Sequence, residues 1–220
     1  TWSKLLVPLI STAKTALEAR VRLPVWKMPA LLPGLLSQLR ERHPRLSVKP
    51  RRGRSTELIT EVKAGHLDAA VVASPLKGHG DVLRMRELHQ QELVLIAPPD
   101  ATESSATALL RRYDWIRYDR RSVTGAMASR HVLSLVPGKR GVFEIDSAPA
   151  IIAMVSGGLG VSVIHLLDAA FCQAYPVRQI RLGRHAPQFK LVMVTRKSDD
   201  DDRALAVVHE ALRSLMKPAA

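Results

Sequence analysis

The chain is expected to fold as an α/β protein with mostly parallel sheets, and three stretches carry that expectation. Residues 29–76 parse as helix, strand, helix, strand, each with its own start and stop signals. Residues 69–73 read Ala-Ala-Val-Val-Ala, a short apolar run of the kind a parallel sheet buries on both faces. Residues 141–164 repeat the order strand, helix, strand.

Taken in order, residues 3–19 predict a helix, with Leu5, Leu6, Leu9, Ile10, Ala13 and Leu17 on one side and Pro8 as a kink or an early-turn residue. Val21 to Trp26 predicts the first sheet strand. Pro29 suits a first helical turn, and Leu31, Leu32, Leu35, Leu36 and Leu39 then share one helical face. His43-Pro44 ends that helix, because a residue before proline is pushed out of the α region. Leu46 to Lys49 is a short strand, Ser55 a candidate cap for a helix carrying Leu58, Ile59 and Val62, and Gly65 its stop. Further strands are expected at 92–97, 115–118, 141–146, 160–165, 177–182 and 189–195. Helices are expected at 104–113, from Ser122, from a Ser147 cap to Gly157-Gly158, and at 166–174. Asp199 to Asp202 precedes a closing helix with Leu205, Val208, Leu212 and Leu215 aligned, and those aspartates suit its positive end better than a metal.

Composition narrows the function classes. Hydrophobic residues make up 46% and aromatics 4%, so aliphatic packing must dominate the core. No apolar run approaches the ~18 residues of a membrane span, and no secretory signal is recognisable, which makes the cytoplasm the expected location. The lone Cys172 excludes a disulfide within these residues and reads as a small core hydrophobe. Lys and Arg total 33 against 20 acidic residues, a formal charge of +13. Arginine supplies 23 of the 33 and asparagine is absent, a bias that coding composition alone can produce. Its functional reading is attraction to anions. Direct nucleic-acid binding by this chain is disfavoured, because the cations are spread along its length and the aromatics are too few for a stacking platform.

The stretch LLPGLLSQLRERHPRLSVKPRRGRSTELITEVKAGHLDAAVVASP, followed by ELVLIAPP, resembles the effector-binding domain of LysR-type transcriptional regulators. Phe143-Glu-Ile-Asp-Ser147 and, after a helix, Ser156-Gly-Gly-Leu-Gly-Val-Ser-Val-Ile164 extend the resemblance, which covers roughly residues 1–217. It implies two Rossmann-like lobes joined by two crossover strands, as in type 2 periplasmic binding proteins. The divisions expected are a linker helix at 1–20, truncated after a missing winged helix-turn-helix, lobe I at 21–95 and 194–220, and lobe II at 96–193. The resemblance also implies a homodimer, or a tetramer at full length, that touches DNA only through the missing N-terminal domain.

Ligands of such a fold lie between the lobes, where strands end and helices begin. That position nominates Lys27, Met28, Pro29, Arg54, Ser55, Ser74 and Pro75 on lobe I, with Arg51 and Arg52 on its basic rim, and Arg117, the loop from Asp119 to Thr124, Asp146 and Ser147 on lobe II. The helix starts near 27–29, 54–56 and 147–149 offer N–H groups and a partial positive charge, so a small anionic effector is expected. For Ser55 and Ser147 simple capping is the plainer role, and for each cation a solvated surface position. Relatives often carry a serine or threonine hydroxyl after the first strand; here Trp26, Lys27 and Met28 stand there, so the effector's identity does not carry over.

Enzyme readings fail. Ser11-Thr-Ala-Lys14 matches a serine–lysine acylase by letters but lacks its partner motifs, and Gly157-Gly-Leu-Gly160 has neither P-loop nor dinucleotide spacing. The eight histidines show no metal-ligand spacing, and His165 at the end of an apolar strand reads as packed. No catalysis, cofactor or metal is expected. The expected function is the regulatory half of a transcription factor. The alternative is a solute-binding receptor of the same fold for a transporter, and a weaker third is a lyase on that fold.

Overall fold

The computed structural model describes residues 18–19, 21–22, 28–49, 53–74, 82–165, 169–184 and 186–216. The strands are β1 (Glu18–Ala19), β2 (Val21–Arg22), β3 (Ser47–Val48), β4 (Ala69–Ala73), β5 (Leu83–Glu92), β6 (Val94–Ala97), β7 (Trp115–Tyr118), β8 (Gly141–Ile145), β9 (Ser162–Ile164), β10 (Arg178–Arg181) and β11 (Gln188–Arg196). The helices are α1 (Met28–Arg42), α2 (Ser55–Lys63), α3 (Ala106–Arg112), α4 (Val123–Leu135), α5 (Ala148–Ser156), α6 (Ala169–Ala174) and α7 (Arg203–Met216).

Two sheets form. The first runs β2-β4-β11-β5. Alternate residues of its central strands feed opposite faces. Ala69, Val71, Leu191 and Met193 pack with Leu35 and Leu39 of α1 and with Leu205, Val208 and Leu212 of α7. Ala70, Val72, Val192 and Val194 pack with Leu58, Ile59 and Val62 of α2. Burial on both faces is why β4 is apolar throughout.

The second sheet runs β10-β6-β9, and a parallel bridge from Val161 to Trp115 joins it to the β7-β8 pair. Leu95, Trp115 and Val163 face α3 and α4, whereas Ile96, Ile116 and Ile164 face α5. The sheets are mixed rather than mostly parallel. The β2-β4 and β7-β8 pairs are parallel, but β11 runs antiparallel to β4 and β5, and β6 antiparallel to β9 and β10. The antiparallel members are the strands by which the chain passes between the sheets and returns.

Those passages occur at Leu93, between β5 and β6, and between Arg181 and Gln188. All of β11 pairs within the first sheet, and the expected division at 193/194 falls inside it. Residues 83–91, unassigned from the sequence, form with Glu92 the ten-residue edge strand β5. Its few apolar side chains serve opposite faces, Leu83 toward α2 and Leu88 toward α1 and α7, so no apolar period shows. Leu88 is also skipped in the pairing with Leu191 and Val192, a bulge.

Two local expectations need correction. Of the linker helix expected at 1–20, residues 1–17 and 20 lie outside the described residues, and Glu18–Ala19 form a strand parallel to Ser47–Val48. Pairing with the short strand β3 overrides a helical pattern, which is only a weak prior. Ser55 is the first residue of α2 rather than its cap. Arg54 takes the cap position with extended backbone, and its N–H donates to Glu57 Oε2 at 3.2 Å.

Arg196, at the end of β11, joins three elements of the first lobe. Its Nη1 donates to the carbonyls of Val62 (2.9 Å) and Leu67 (2.5 Å), and its Nη2 meets Asp199 at 2.5 Å and Asp68 at 3.9 Å. Arg196→Ala leaves two carbonyls and two carboxylates without that partner and is expected to cost about 2–3 kcal/mol in urea unfolding. Arg196→Lys should recover little, because an ammonium lacks the planar fork.

Candidate functional site

Strand direction locates the edge at which the two sheets meet. β7, β8 and β9 all point one way, and the start of β6 pairs with the end of β9, Val94 opposite Ile164. The chain therefore enters the second lobe at the edge where Asp119, Asp146 and His165 follow their strands. In the first lobe the end of β4 lies at the corresponding edge, because Ala73 pairs with Leu191 in the first half of β11. Ala73, Leu93 and Phe189 pack into the second lobe's core and floor the junction. Phe189, His165 and Tyr118 continue it as edge-to-face rings, 5.4 and 5.9 Å between centroids.

Asp119 is the centre of this edge and is 5% exposed. Its Oδ1 accepts from the Arg121 N–H (2.9 Å) and Nε (3.1 Å), and its Oδ2 from Arg54 Nη2 at 3.4 Å. The last contact spans the two lobes. Burial alone would raise the Asp119 pKa, but the Arg121 backbone and guanidinium, with Arg54, hold it below the usual carboxylate range. The Asp119 carbonyl accepts from the Ser122 N–H (3.0 Å) and hydroxyl (2.7 Å), and Ser122 Oγ in turn accepts from the Gly125 N–H, capping α4. A side chain at position 125 would put Cβ 2.1 Å from the Asp119 carbonyl oxygen, so only glycine lets α4 close onto this loop. Burial and then the charges of Asp146 and Asp119 raise the Tyr118 pKa far above its ordinary value, so the phenol keeps its proton.

The sequence-nominated residues fall into distinct places. Lys27 and Pro75 lie outside the described residues, as do Trp26, Arg51 and Arg52; Met28 and Pro29 begin α1. Ser74 follows β4 at the cleft edge, its N–H donating to the Lys190 carbonyl at 2.7 Å. Arg54 lies at the cap position of α2 and Ser55 is its first residue, and the Arg54 guanidinium reaches Asp119 of the other lobe at 3.4 Å. Ser147 caps α5, accepting from the Ala150 N–H at 3.4 Å, and Asp146 beside it is exposed. Arg117 faces sideways along the sheet, paired with Glu144 and 5.8 Å over the Trp115 ring, and Thr124 is buried in the first turn of α4. Sequence reasoning nominated the loop from Asp119 to Thr124 as a whole, without singling out Asp119 or Arg121, and passed over Tyr118. The available signal was Asp119 three residues before Ser122, the spacing of an acceptor that closes a turn before a helix.

Two helix starts, α4 and α5, thus emerge side by side from adjacent parallel strands and face the start of α2 across the Arg54–Asp119 contact. Serine caps satisfy one N–H at each of the first two, leaving other first-turn donors. Arg54 spends one of its five guanidinium donors on Asp119, and its side chain is 41% exposed. Among the described residues no cluster of His, Cys, Asp or Glu is suited to a metal, and no helix is long and apolar enough to cross a membrane.

A family model described as the LysR substrate binding domain matches residues 18–217. A probable RuBisCO transcriptional regulator of Cyanidium caldarium is 26% identical over 149 residues, which are 62% of this chain and 45% of that protein. The chain spans about half the length of the curated relatives it first matches. Among solved structures, the reduced form of the OxyR regulatory domain from Pseudomonas aeruginosa superposes with a TM-score of 0.75 at 21% identity, covering 94% of this chain and 100% of that one. The effector binding domain of QuiR in complex with shikimate superposes with a TM-score of 0.73 at 12% identity, covering 91% and 97%. At these identities the superpositions establish the α/β fold of two lobes.

Proposed function

This chain belongs to the LysR substrate binding domain family, and we propose that it is the effector-binding regulatory part of a transcription regulator, taking a small anion between its lobes. The observation that carries the reading is Arg54, tied by one donor to Asp119 of the other lobe while its side chain stays 41% exposed. An anion seated there meets a fixed guanidinium charge, the first turns of α4 and α5, and the protonated Tyr118 phenol. Because its partners come from both lobes, binding favours one interlobe angle over others, which is what a regulatory domain needs to bias the elements attached to it.

Regulation then acts on DNA through a winged helix-turn-helix outside this chain, in a cytoplasmic homodimer or a full-length tetramer, with no catalysis. The alternative of a transporter's receptor is disfavoured because the curated relative is named a transcriptional regulator. QuiR was solved with shikimate, a carboxylate, and that class leads the test.

The test is a thermal-shift screen of the chain against carboxylates, amino acids, phosphate esters and sulfate. A ligand at about 100 times its Kd adds roughly 2.7 kcal/mol. A rise in Tm that disappears in Arg54→Ala and shrinks in Ser147→Ala is the expected result. No rise with any anion, or a rise unchanged in both variants, overturns the placement.

A further inference from the structure

A cavity of about 320 Å3 opens at the end of the first lobe away from the junction. Its place follows from strand direction. β11 leaves the cleft edge and ends at Arg196, and α1, which starts after β2, ends at Arg42, so the α1–β3 turn and the start of α7 meet at the far edge. The floor is apolar, from Pro44, Leu46, Ala204 and Val207, and Leu46 and Val207 rest on the lobe's core. The rim is His43, Arg45 and Arg203, and no carboxylate lines the cavity.

Among the described residues the charge there lacks a carboxylate partner. Elsewhere in this lobe Arg84 and Arg86 share Asp200, and Arg196 holds Asp199. Arg45 and Arg203 are both exposed, and neither forms an ion pair among the described residues. The nearby Asp202 is engaged otherwise, its Oδ1 accepting from the N–H groups of Ala204 (2.8 Å) and Leu205 (3.3 Å). An apolar floor under two unpaired guanidinium groups complements a molecule with a hydrocarbon body and one negative end. The volume lies at the lower end of the ~300–1,000 Å3 of ligand sites, which suits a compact acid and not a folded peptide.

We propose that this cavity binds a small apolar carboxylate, its body on Leu46 and Val207 and its carboxylate at Arg45 and Arg203. The site is separate from the cleft and does not depend on it. Titrating hexanoate and phenylacetate into the 15N-labelled chain should give saturable amide shifts at Leu46, Ala204 and Val207. Arg45→Glu and Arg203→Glu, two exposed positions whose spectra report folding directly, should each weaken binding about tenfold or more, as expected on losing a charge-assisted contact. Arg54→Ala should leave those shifts in place. The proposal is overturned by the absence of saturable shifts, by shifts that survive both reversals, or by shifts that follow protein concentration without probe, which would mark a contact between copies. Shifts confined to Asp119 and Ser147 would also overturn it while leaving the cleft reading intact.

Discussion

Gly160→Ala is expected to lower the melting temperature by roughly 10 °C, from a loss of about 3–5 kcal/mol. Gly160 turns the chain from α5 into β9 with φ at 145°, and an added Cβ would sit 2.4 Å from the Asp114 carbonyl oxygen. That carbonyl accepts the Val161 N–H at 2.8 Å, and the Ile116 N–H reaches back to the Val161 carbonyl at 2.9 Å. Moving Asp114 aside therefore unpicks the backbone bridge between Val161 and the buried Trp115. Gly183→Ala is the control. Gly183 also has positive φ, at 82°, but an added Cβ meets nothing within 4 Å, so only the backbone term of about 1–2 kcal/mol remains. Equal losses for the two variants in chemical denaturation would show that the close approach to Asp114 has no energetic weight.

The same glycine shows what the sequence made legible. Gly157-Gly-Leu-Gly160 was readable as a helix-to-strand turn because its spacing fits no nucleotide motif, and the structure places Gly157 at the end of α5 and positive φ at Gly158 and Gly160. Elements with one apolar period were readable too. Leu58, Ile59 and Val62 mark α2, and Ala69 to Ala73 marks β4. Illegible were elements whose residues divide between two environments. β5 sends Leu83 to one face and Leu88 to the other and carries arginines that serve Asp200, so its pattern is neither alternating nor apolar. The mixed direction of the sheets was equally hidden, because antiparallel crossovers and parallel strands use the same aliphatic residues.

For the candidate site, position was legible and pairing was not. Helix starts and strand ends can be read from caps and turns, which is how Arg54, Asp146 and Ser147 were nominated. Which of the two nominated arginines, Arg117 and Arg54, pairs along the sheet and which reaches across the lobes is set by three-dimensional register. Arg117 meets Glu144 because β7 and β8 are parallel and in register at 117 and 144. Arg54 meets Asp119, 65 positions away, because α2 starts beside the beginning of the loop after β7. No local pattern in the chain carries that contact.

Asp119 is where stability and the proposed ligand response separate. Asp119→Asn is expected to cost about 2–3 kcal/mol at pH 7, since the amide keeps one oxygen for two guanidinium groups and loses the charge that holds them. The pH dependence has a definite sign. The folded-state pKa lies below the ordinary value, so the contribution is complete above the unfolded-state pKa of about 4 and is lost as pH falls through the depressed folded value. The stability gap between the parent chain and Asp119→Asn should therefore be constant from neutral pH down to about 5 and close in more acid solution. A gap that stays open there would mean that the loop geometry and not the charge is at stake. Ligand binding should move the other way. Among the described residues Asp119 is the carboxylate paired with the Arg54 guanidinium, and an anion entering the junction must share that guanidinium with it. Asp119→Asn is thus expected to bind small anions more tightly than the parent chain while being less stable, whereas Arg54→Ala binds them more weakly with little loss of stability, its side chain being 41% exposed. Opposite signs in isothermal titration separate competition for Arg54 from general loosening of the fold; weakened binding in both variants would make Asp119 a residue that positions the loop instead.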